Sequence, residues 1–86
     1  MARTISDPRH KALRQFLVSA RKKAGLRQID VAVRLRRSQD YVSHIETGQK
    51  IVGAIELAEL AEVIGFDPAE AVRLLRGTAK GRKRGR

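Results

Sequence analysis

Four side chains with hydrogen-bonding groups of four different kinds lie close together in the middle of the chain. They are Gln39, Asp40, Ser43 and His44, an amide, a carboxylate, a hydroxyl and an imidazole. Val42 and Ile45 lie among them, three residues apart. That spacing is typical of one face of an α-helix. A helix here would bury Val42 and Ile45 and leave the four polar groups pointing outward.

Outward groups of these kinds match the edges of DNA bases. An α-helix fits the major groove, where a glutamine such as Gln39 can form paired hydrogen bonds with adenine. Asp40 can accept from a cytosine amino group, or it can simply be a favourable charge at a helix N-terminus. Ser43 and His44 can bond to a base or a phosphate. Each residue taken alone is equally compatible with an ordinary solvated helix surface.

The elements that must position these groups are two short helices between Arg27 and Gly48. The first is predicted from Gln28 to about Leu35, with Val31 and Ala32 on its buried side. The second begins after Ser38, a good cap whose free backbone amides also favour a phosphate. Two short helices joined by about three residues can cross and leave the second exposed along one face.

The rest of the chain is predicted to form three more helices, so the fold class is all-α. Asp7-Pro8 begins the first helix and Gly25 ends it. A fourth helix is expected over Ala54–Ile64, and Asp67-Pro68 opens a fifth that runs to about Arg76. We divide the chain into an N-terminal arm (1–7), a helical domain (8–76) and a basic disordered tail (77–86).

The basic charge is unevenly distributed. The net charge is +10: residues 1–24 carry seven basic and one acidic side chain, and residues 25–50 carry five and three. Residues 51–76 carry two basic and five acidic side chains, whereas the last ten residues carry five basic and none acidic. A polyanion would therefore meet the first half and the tail.

Several other classes of protein are excluded. The sequence has no cysteine, and its two histidines (His10 and His44) lie far apart, so no metal or other cofactor is expected. No stretch approaches the ~20 apolar residues that span a bilayer, and the N-terminus lacks the apolar core of a secretory signal. A cytoplasmic location follows by default. No acid–base pair, nucleophile or phosphate loop indicates an enzyme.

The run QIDVAVRL…SQDYVSHIETG resembles the helix-turn-helix of the lambda-repressor and Cro-like family, also called the xenobiotic-response-element (XRE) family. LRQFLVSARKKAGL resembles the first helix of that family, and GAIELAELAEVIGFDPAE its fourth helix and the start of its fifth. The resemblance covers roughly residues 11–75. It implies a compact five-helix DNA-binding domain with the helix-turn-helix at helices 2 and 3.

The resemblance also implies roles for individual residues. Gln28 matches the glutamine that bonds a phosphate and braces the start of the reading helix, and Ala32 the small residue where the two helices touch. Glu46 matches a glutamate that pairs internally with Arg21. Gln39, Asp40, Ser43 and His44 hold the base-reading positions. The expected phosphate-binding residues are Gln28, Arg36, Arg37, Ser38, Tyr41, Thr47 and Lys50, with Arg34 as a further candidate.

The chain departs from the family pattern in the turn. Arg36 replaces the usual glycine and must adopt a left-handed or altered conformation at about 1 kcal/mol. Arg37 replaces an apolar residue, and both arginines could contact phosphates instead. Arg27 stands where a serine or threonine cap is usual. For Tyr41, a phosphate contact and a half-buried core position are equally favoured.

The function expected is that of a transcriptional regulator, a repressor that binds double-stranded DNA as a homodimer. Its operator would be an inverted repeat with half-sites about 34 Å apart. The dimer contact would use the last helix, or the same residues would close the monomer core; they are Phe66, Val72, Leu74 and Leu75.

Two other functions remain open. An antitoxin-type interaction module would bind a small protein partner and DNA only secondarily, and co-purification with such a partner would support it. A non-specific nucleic-acid coater, associated with the nucleoid through charge alone, would bind palindromic and scrambled DNA with similar affinity.

Overall fold

The computed structural model describes residues 7–78, which form five α-helices and no strand. This confirms the predicted all-α, five-helix architecture. The helices are α1 (Pro8–Lys23), α2 (Gln28–Leu35), α3 (Gln39–Thr47), α4 (Ala54–Ile64) and α5 (Pro68–Gly77). None of them is long and apolar enough to cross a membrane. Most of the predicted arm and tail, residues 1–6 and 79–86, lies outside the described residues.

Side-chain caps begin three of the helices, as the sequence predicts. Asp7 Oδ1 accepts from the backbone N–H of Arg9 at 2.9 Å, and Asp67 Oδ1 from that of Ala69 at 2.9 Å. Ser38 Oγ accepts from the backbone N–H of Tyr41 at 3.2 Å. Each cap satisfies a donor that the first turn of a helix would leave without a partner.

Arg36 adopts the left-handed conformation, with φ 62° and ψ 41°, which is the first of the two alternatives that its place in the turn allows. It is the one non-glycine residue with positive φ in the described part of the chain. Its N–H donates to the carbonyl of Val33 at 3.1 Å, and the N–H of Arg37 donates to that of Ala32 at 2.9 Å. These bonds close the end of α2 and turn the chain into α3, at a conformational cost of about 1 kcal/mol.

The start of α2 lacks a side-chain cap from Arg27, and a residue within the helix compensates for it. Arg27 has no side-chain acceptor to offer the first turn, but Asp30 Oδ2 accepts from the backbone N–H of Arg27 at 2.7 Å. The same carboxylate pairs with the Arg27 guanidinium at 2.9 Å. The missing serine or threonine cap is therefore replaced by a bond from the third helical residue, which is half of a capping box.

One hydrophobic core joins the five helices and sets the position of α3. Ala32 of α2 is completely buried, which lets α2 and α3 approach closely. Phe16 and Phe66 pack edge to face beside this core, with ring centroids 5.1 Å apart. The fully enclosed members of the core are Leu13, Leu17, Val31, Ala32, Val42, Ile45, Leu60 and Ala71.

Some apolar residues of α4 and α5 are less buried than their spacing indicates. Ile55, a member of the predicted apolar set of α4, is 75% exposed. Of the proposed dimer residues, Phe66 and Leu75 pack against the monomer core. Val72 and Leu74 are partly exposed and project from opposite flanks of the core-facing side of α5. The four residues therefore do not form one continuous patch.

Candidate nucleic-acid interface

Helices α2 and α3 pack against each other across the three-residue turn 36–38. Val42 and Ile45, at 2% and 1% exposure, fix α3 to the core. Val31 and Ala32 of α2 are completely buried in the same cluster. The buried side of α3 is thus fully used for packing, and its opposite side remains open.

The open side of α3 carries the predicted base-reading residues. With 3.6 residues per turn, the positions 39, 40, 43, 44 and 47 fall within an arc of about 140°. Gln39, Asp40 and His44 are exposed, and Ser43 is half-buried. Thr47 completes the arc, and its hydroxyl donates to the backbone carbonyl of Ser43 at 3.0 Å. The structure therefore places all four predicted reading residues together on one surface.

A chain of hydrogen bonds connects this surface to α1. Arg21 donates to Glu46 through Nε at 2.6 Å and through Nη2 at 3.0 Å, and through Nη1 to the carbonyl of Leu26 at 2.9 Å. Gln28 Nε2 donates to Glu46 Oε1 at 2.8 Å. Gln39 Nε2 then donates to Gln28 Oε1 at 3.4 Å. Arg21 and Glu46 pair internally, and Gln28 braces the first residue of α3, as the family resemblance implies.

Three of the predicted phosphate-binding residues lie together on one flank of α3. The Arg37 guanidinium lies 4.5 Å from the centroid of the Tyr41 ring, and Lys50 Nζ lies 5.4 Å from it. Ser38, at the N-terminus of α3, and Arg36 are both exposed in the turn beside them. Thr47 and Gln28 lie elsewhere: Thr47 is on the reading arc, and Gln28 belongs to the hydrogen-bond chain on the other flank.

Arg34 has a partner within the protein. Its Nη1 donates to the backbone carbonyl of Val63 at 2.7 Å, near the C-terminal end of α4. Backbone carbonyls at a helix end lack partners within the helix, and a nearby cation is favourable there. Arg34 thus ties α2 to α4, a role that its sequence position does not reveal.

Arg14 is a residue that the sequence reasoning missed. Its guanidinium lies against Gly48, so that a Cβ added at Gly48 would come within 2.7 Å of Arg14 Nε. This Nε is buried and has no hydrogen-bond partner among the described residues. Arg14 therefore covers the end of α3, where a cation favours the helix dipole. No spacing signal in α1 would identify it, because the contact depends on how α1 and α3 cross.

Hydrogen bonds shift the pKa of one group near the candidate interface, and burial and nearby charges shift that of another. The pKa of Asp30 is lowered to about 2 by the hydrogen bonds from the side chain and backbone of Arg27. Burial raises the pKa of the Tyr41 hydroxyl, the charge of Arg37 opposes this, and Glu56 and Glu59 add to the increase. At neutral pH, Tyr41 is a neutral ring that carries a hydroxyl donor, and Asp30 is charged.

Comparison with known proteins agrees with this geometry. The family described as a helix-turn-helix domain matches residues 12–78. A solved XRE-family like protein from Pseudomonas syringae pv. tomato str. DC3000 is similar, with a TM-score of 0.76 and 35% identity over 80% of this chain and 84% of that one. The clp gene regulator ClgR from C. glutamicum has a TM-score of 0.72 and 29% identity over 80% of this chain and 90% of its own. No curated protein matches the chain.

The α2–α3 pair and its open polar face define a helix-turn-helix protein. The chain belongs to the XRE, or lambda-repressor and Cro-like, family of helix-turn-helix DNA-binding transcriptional regulators. This confirms the resemblance seen in the sequence. The family consists of DNA-binding regulators and not of enzymes, which agrees with the expectation from the sequence.

Proposed function

We propose that this protein is a sequence-specific repressor that binds double-stranded DNA at the nucleoid as a homodimer, on an inverted-repeat operator. The observation that carries the proposal is the open face of α3, on which Gln39, Asp40, Ser43 and His44 lie within one arc. Because the opposite face is held by Val42 and Ile45, α3 can enter a major groove without unfolding any part of the core.

The reading face favours sequence recognition over non-specific coating. A coating protein needs only cations, whereas this face carries an amide, a carboxylate, a hydroxyl and an imidazole. Gln39 is braced by Gln28 before any DNA is bound, which reduces the entropy lost when it meets a base edge. Asp40 repels phosphates, so its place here favours a contact with a cytosine amino group.

The size of the reading surface supports homodimerisation. The nine residues of α3 span about 13 Å, which is enough for one half-site of a few base pairs. A two-fold pair of such helices, one helical turn of DNA apart, would read an inverted repeat. Val72 and Leu74 of α5 are the exposed candidates for the contact. Occupancy of an operator by such a dimer excludes other proteins from that DNA, which is the simplest form of repression.

Selection from random duplex DNA at a stated salt concentration tests sequence specificity. The expected result is an enriched inverted repeat that binds far more tightly than a scrambled duplex. Gln39→Ala should relax one base position in each half-site, at about 1–3 kcal/mol. Gln15→Ala, a matched change at an exposed position of α1, should leave the motif unchanged. Enrichment of no motif would leave the coating function as the explanation.

Phosphate contacts and dimerisation have separate tests. Lys50→Gln should weaken binding to all sequences alike and lower the salt slope by about one, whereas Arg73→Gln, on the outer face of α5, should not. Equilibrium sedimentation at micromolar concentration should show a dimer that Val72→Glu or Leu74→Glu dissociates. A monomer both free and on the selected DNA would refute the dimer.

A further inference from the structure

Two cations that come from opposite ends of α3 lie over the ring of Tyr41. Arg37 precedes the Ser38 cap, and Lys50 follows the end of the helix at Gly48. The chain reverses after Gly48, which has φ 89°, and the backbone N–H of Lys50 donates back to the carbonyl of His44 at 3.0 Å. This reversal brings Lys50 Nζ to 5.4 Å from the centroid of the Tyr41 ring. The guanidinium carbon of Arg37, which comes from the other end of α3, lies 4.5 Å from the same centroid.

Arg37, Tyr41 and Lys50 form a cluster that borders the reading face of α3 on one side only. Tyr41 lies about 60° beyond His44 around α3, whereas Gln39 and Glu46 mark the other border, where Gln28 is attached. A helix in the major groove has the phosphates of one strand on each side. With α3 in the groove, its two borders would therefore face different strands, and the border that carries Arg37 would supply the cations.

Among residues 7–78, no ion pair neutralises Arg37 or Lys50. Within the described part of the chain, ion pairs join Arg9, Arg21 and Arg27 to carboxylates at 2.6–2.9 Å, but neither Arg37 nor Lys50. Glu56 and Glu59 of α4 act on Tyr41 through their charge. Glu56 itself accepts from the backbone N–H of Gly53 at 3.0 Å.

We propose that Arg37, Tyr41 and Lys50 form a single phosphate-binding cluster, in which the ring of Tyr41 positions both cations for one DNA strand. The inference rests on the proposed function. It assigns this positioning role to the aromatic ring of Tyr41 and not to its hydroxyl. Arg and Lys side chains lose much rotational freedom on binding a phosphate. Contact with an aromatic face restricts them beforehand. Tyr41 is thus a positioning residue, and the cations make the contacts.

The first test separates the ring from the hydroxyl. Tyr41→Phe should bind the selected duplex within about twofold of the unmodified protein. Tyr41→Leu should weaken binding about five- to twentyfold, to scrambled as well as selected DNA, because two cation–ring contacts are lost. Equal losses in the two variants would overturn the role of the ring. Circular dichroism checks whether both variants are folded.

The second test begins with a phosphate mapping that uses only exposed or half-exposed polar positions, so this mapping does not depend on Tyr41→Leu being folded. Arg37→Gln, Lys50→Gln and the double variant are measured on duplexes in which single phosphates are replaced by neutral methylphosphonates. The cluster predicts that both single effects disappear at the same phosphate, or at two adjacent phosphates of one strand. It also predicts that Tyr41→Leu reduces the effect of Lys50→Gln on the salt slope.

The outcomes distinguish the cluster from the function on which it rests. If the effects of Arg37→Gln and Lys50→Gln disappear at phosphates on different strands, the proposal of a single cluster is wrong but the proposal of DNA binding is unaffected. Additive effects of Tyr41→Leu and Lys50→Gln would lead to the same conclusion. Failure of the unmodified protein to bind any duplex would overturn the proposed function and the cluster with it.

Discussion

Glu46 accepts hydrogen bonds from both Arg21 and Gln28, and Glu46→Gln would remove its charge while keeping its volume. The carboxylate accepts three donors, at 2.6, 2.8 and 3.0 Å. An amide offers one acceptor oxygen and brings two donors of its own. At least one donor of Arg21 or Gln28 would then have no acceptor, and the Arg21 guanidinium would have no counter-charge.

The expected loss of stability follows from the burial of this pair. The side chains of Arg21 and Glu46 are only 12% and 9% exposed. Breaking a buried ion pair from one side costs about 3–5 kcal/mol. Because one acceptor remains and Arg21 still donates to the Leu26 carbonyl, we expect about 2–3 kcal/mol. That is a large part of the roughly 5–10 kcal/mol that stabilises a domain of this size.

Urea unfolding followed by circular dichroism at pH 7 measures this loss. With a slope of about 1 kcal/mol/M, the midpoint should fall by about 2–3 M. Glu62→Gln, a matched change on the exposed face of α4, should alter stability by less than about 0.5 kcal/mol. Arg21→Met added to Glu46→Gln should recover part of the loss, since it removes the unpaired charge. A loss below about 0.5 kcal/mol for Glu46→Gln, or no recovery in the double variant, would refute the reasoning.

Three further predictions concern the turns and the start of α2. Arg36→Gly should stabilise the fold by up to about 1 kcal/mol, because glycine adopts the left-handed conformation without strain, yet it should weaken DNA binding. Unchanged affinity for DNA in both this variant and Arg36→Asn would show that Arg36 contacts no phosphate. Gly48→Ala should lower the free energy of unfolding in urea by about 1–2 kcal/mol, because φ is 89° and the new Cβ displaces the guanidinium of Arg14. If the loss is the same in an Arg14→Ala background, backbone strain is its whole cause. The folded pKa of Asp30 is below its unfolded value, so its stabilising contribution is present above about pH 4 and disappears as the pH falls toward 2. Asp30→Asn should therefore unfold more easily than the unmodified protein at pH 7 but equally at pH 2, and a constant difference across this range would contradict the assignment.

The helices could be predicted closely because their ends carry local signals. Asp7, Ser38 and Asp67 are caps whose side chains bond the next turn, and that chemistry depends only on neighbours in sequence. The unusual turn at Arg36 could be expected from the family resemblance, in which Arg36 stands where a glycine is usual. The face of α3 followed from the spacing of Val42 and Ile45.

The contacts between helices could not be predicted in the same way. Whether Arg34 faces DNA or the Val63 carbonyl depends on the position of α4, and the contact of Arg14 with Gly48 depends on the crossing of α1 and α3. The exposure of Ile55 shows the same limit, because an apolar residue in the first turn of a helix is buried only where a neighbour extends over it.

The hydrogen-bond chain from Arg21 to Gln39 also determines how this protein could be given a new target sequence. Asp40 and His44 have no side-chain hydrogen bond within the described residues, so they can be exchanged without disturbing the scaffold. Gln39 cannot be exchanged so freely, because its amide is coupled to Gln28 and thereby to Glu46. A library that varies positions 40, 43 and 44 should yield many folded proteins with altered specificity. Variation at position 39 must be accompanied by variation at position 28, because the hydrogen bond between the two glutamines couples their contributions to DNA recognition.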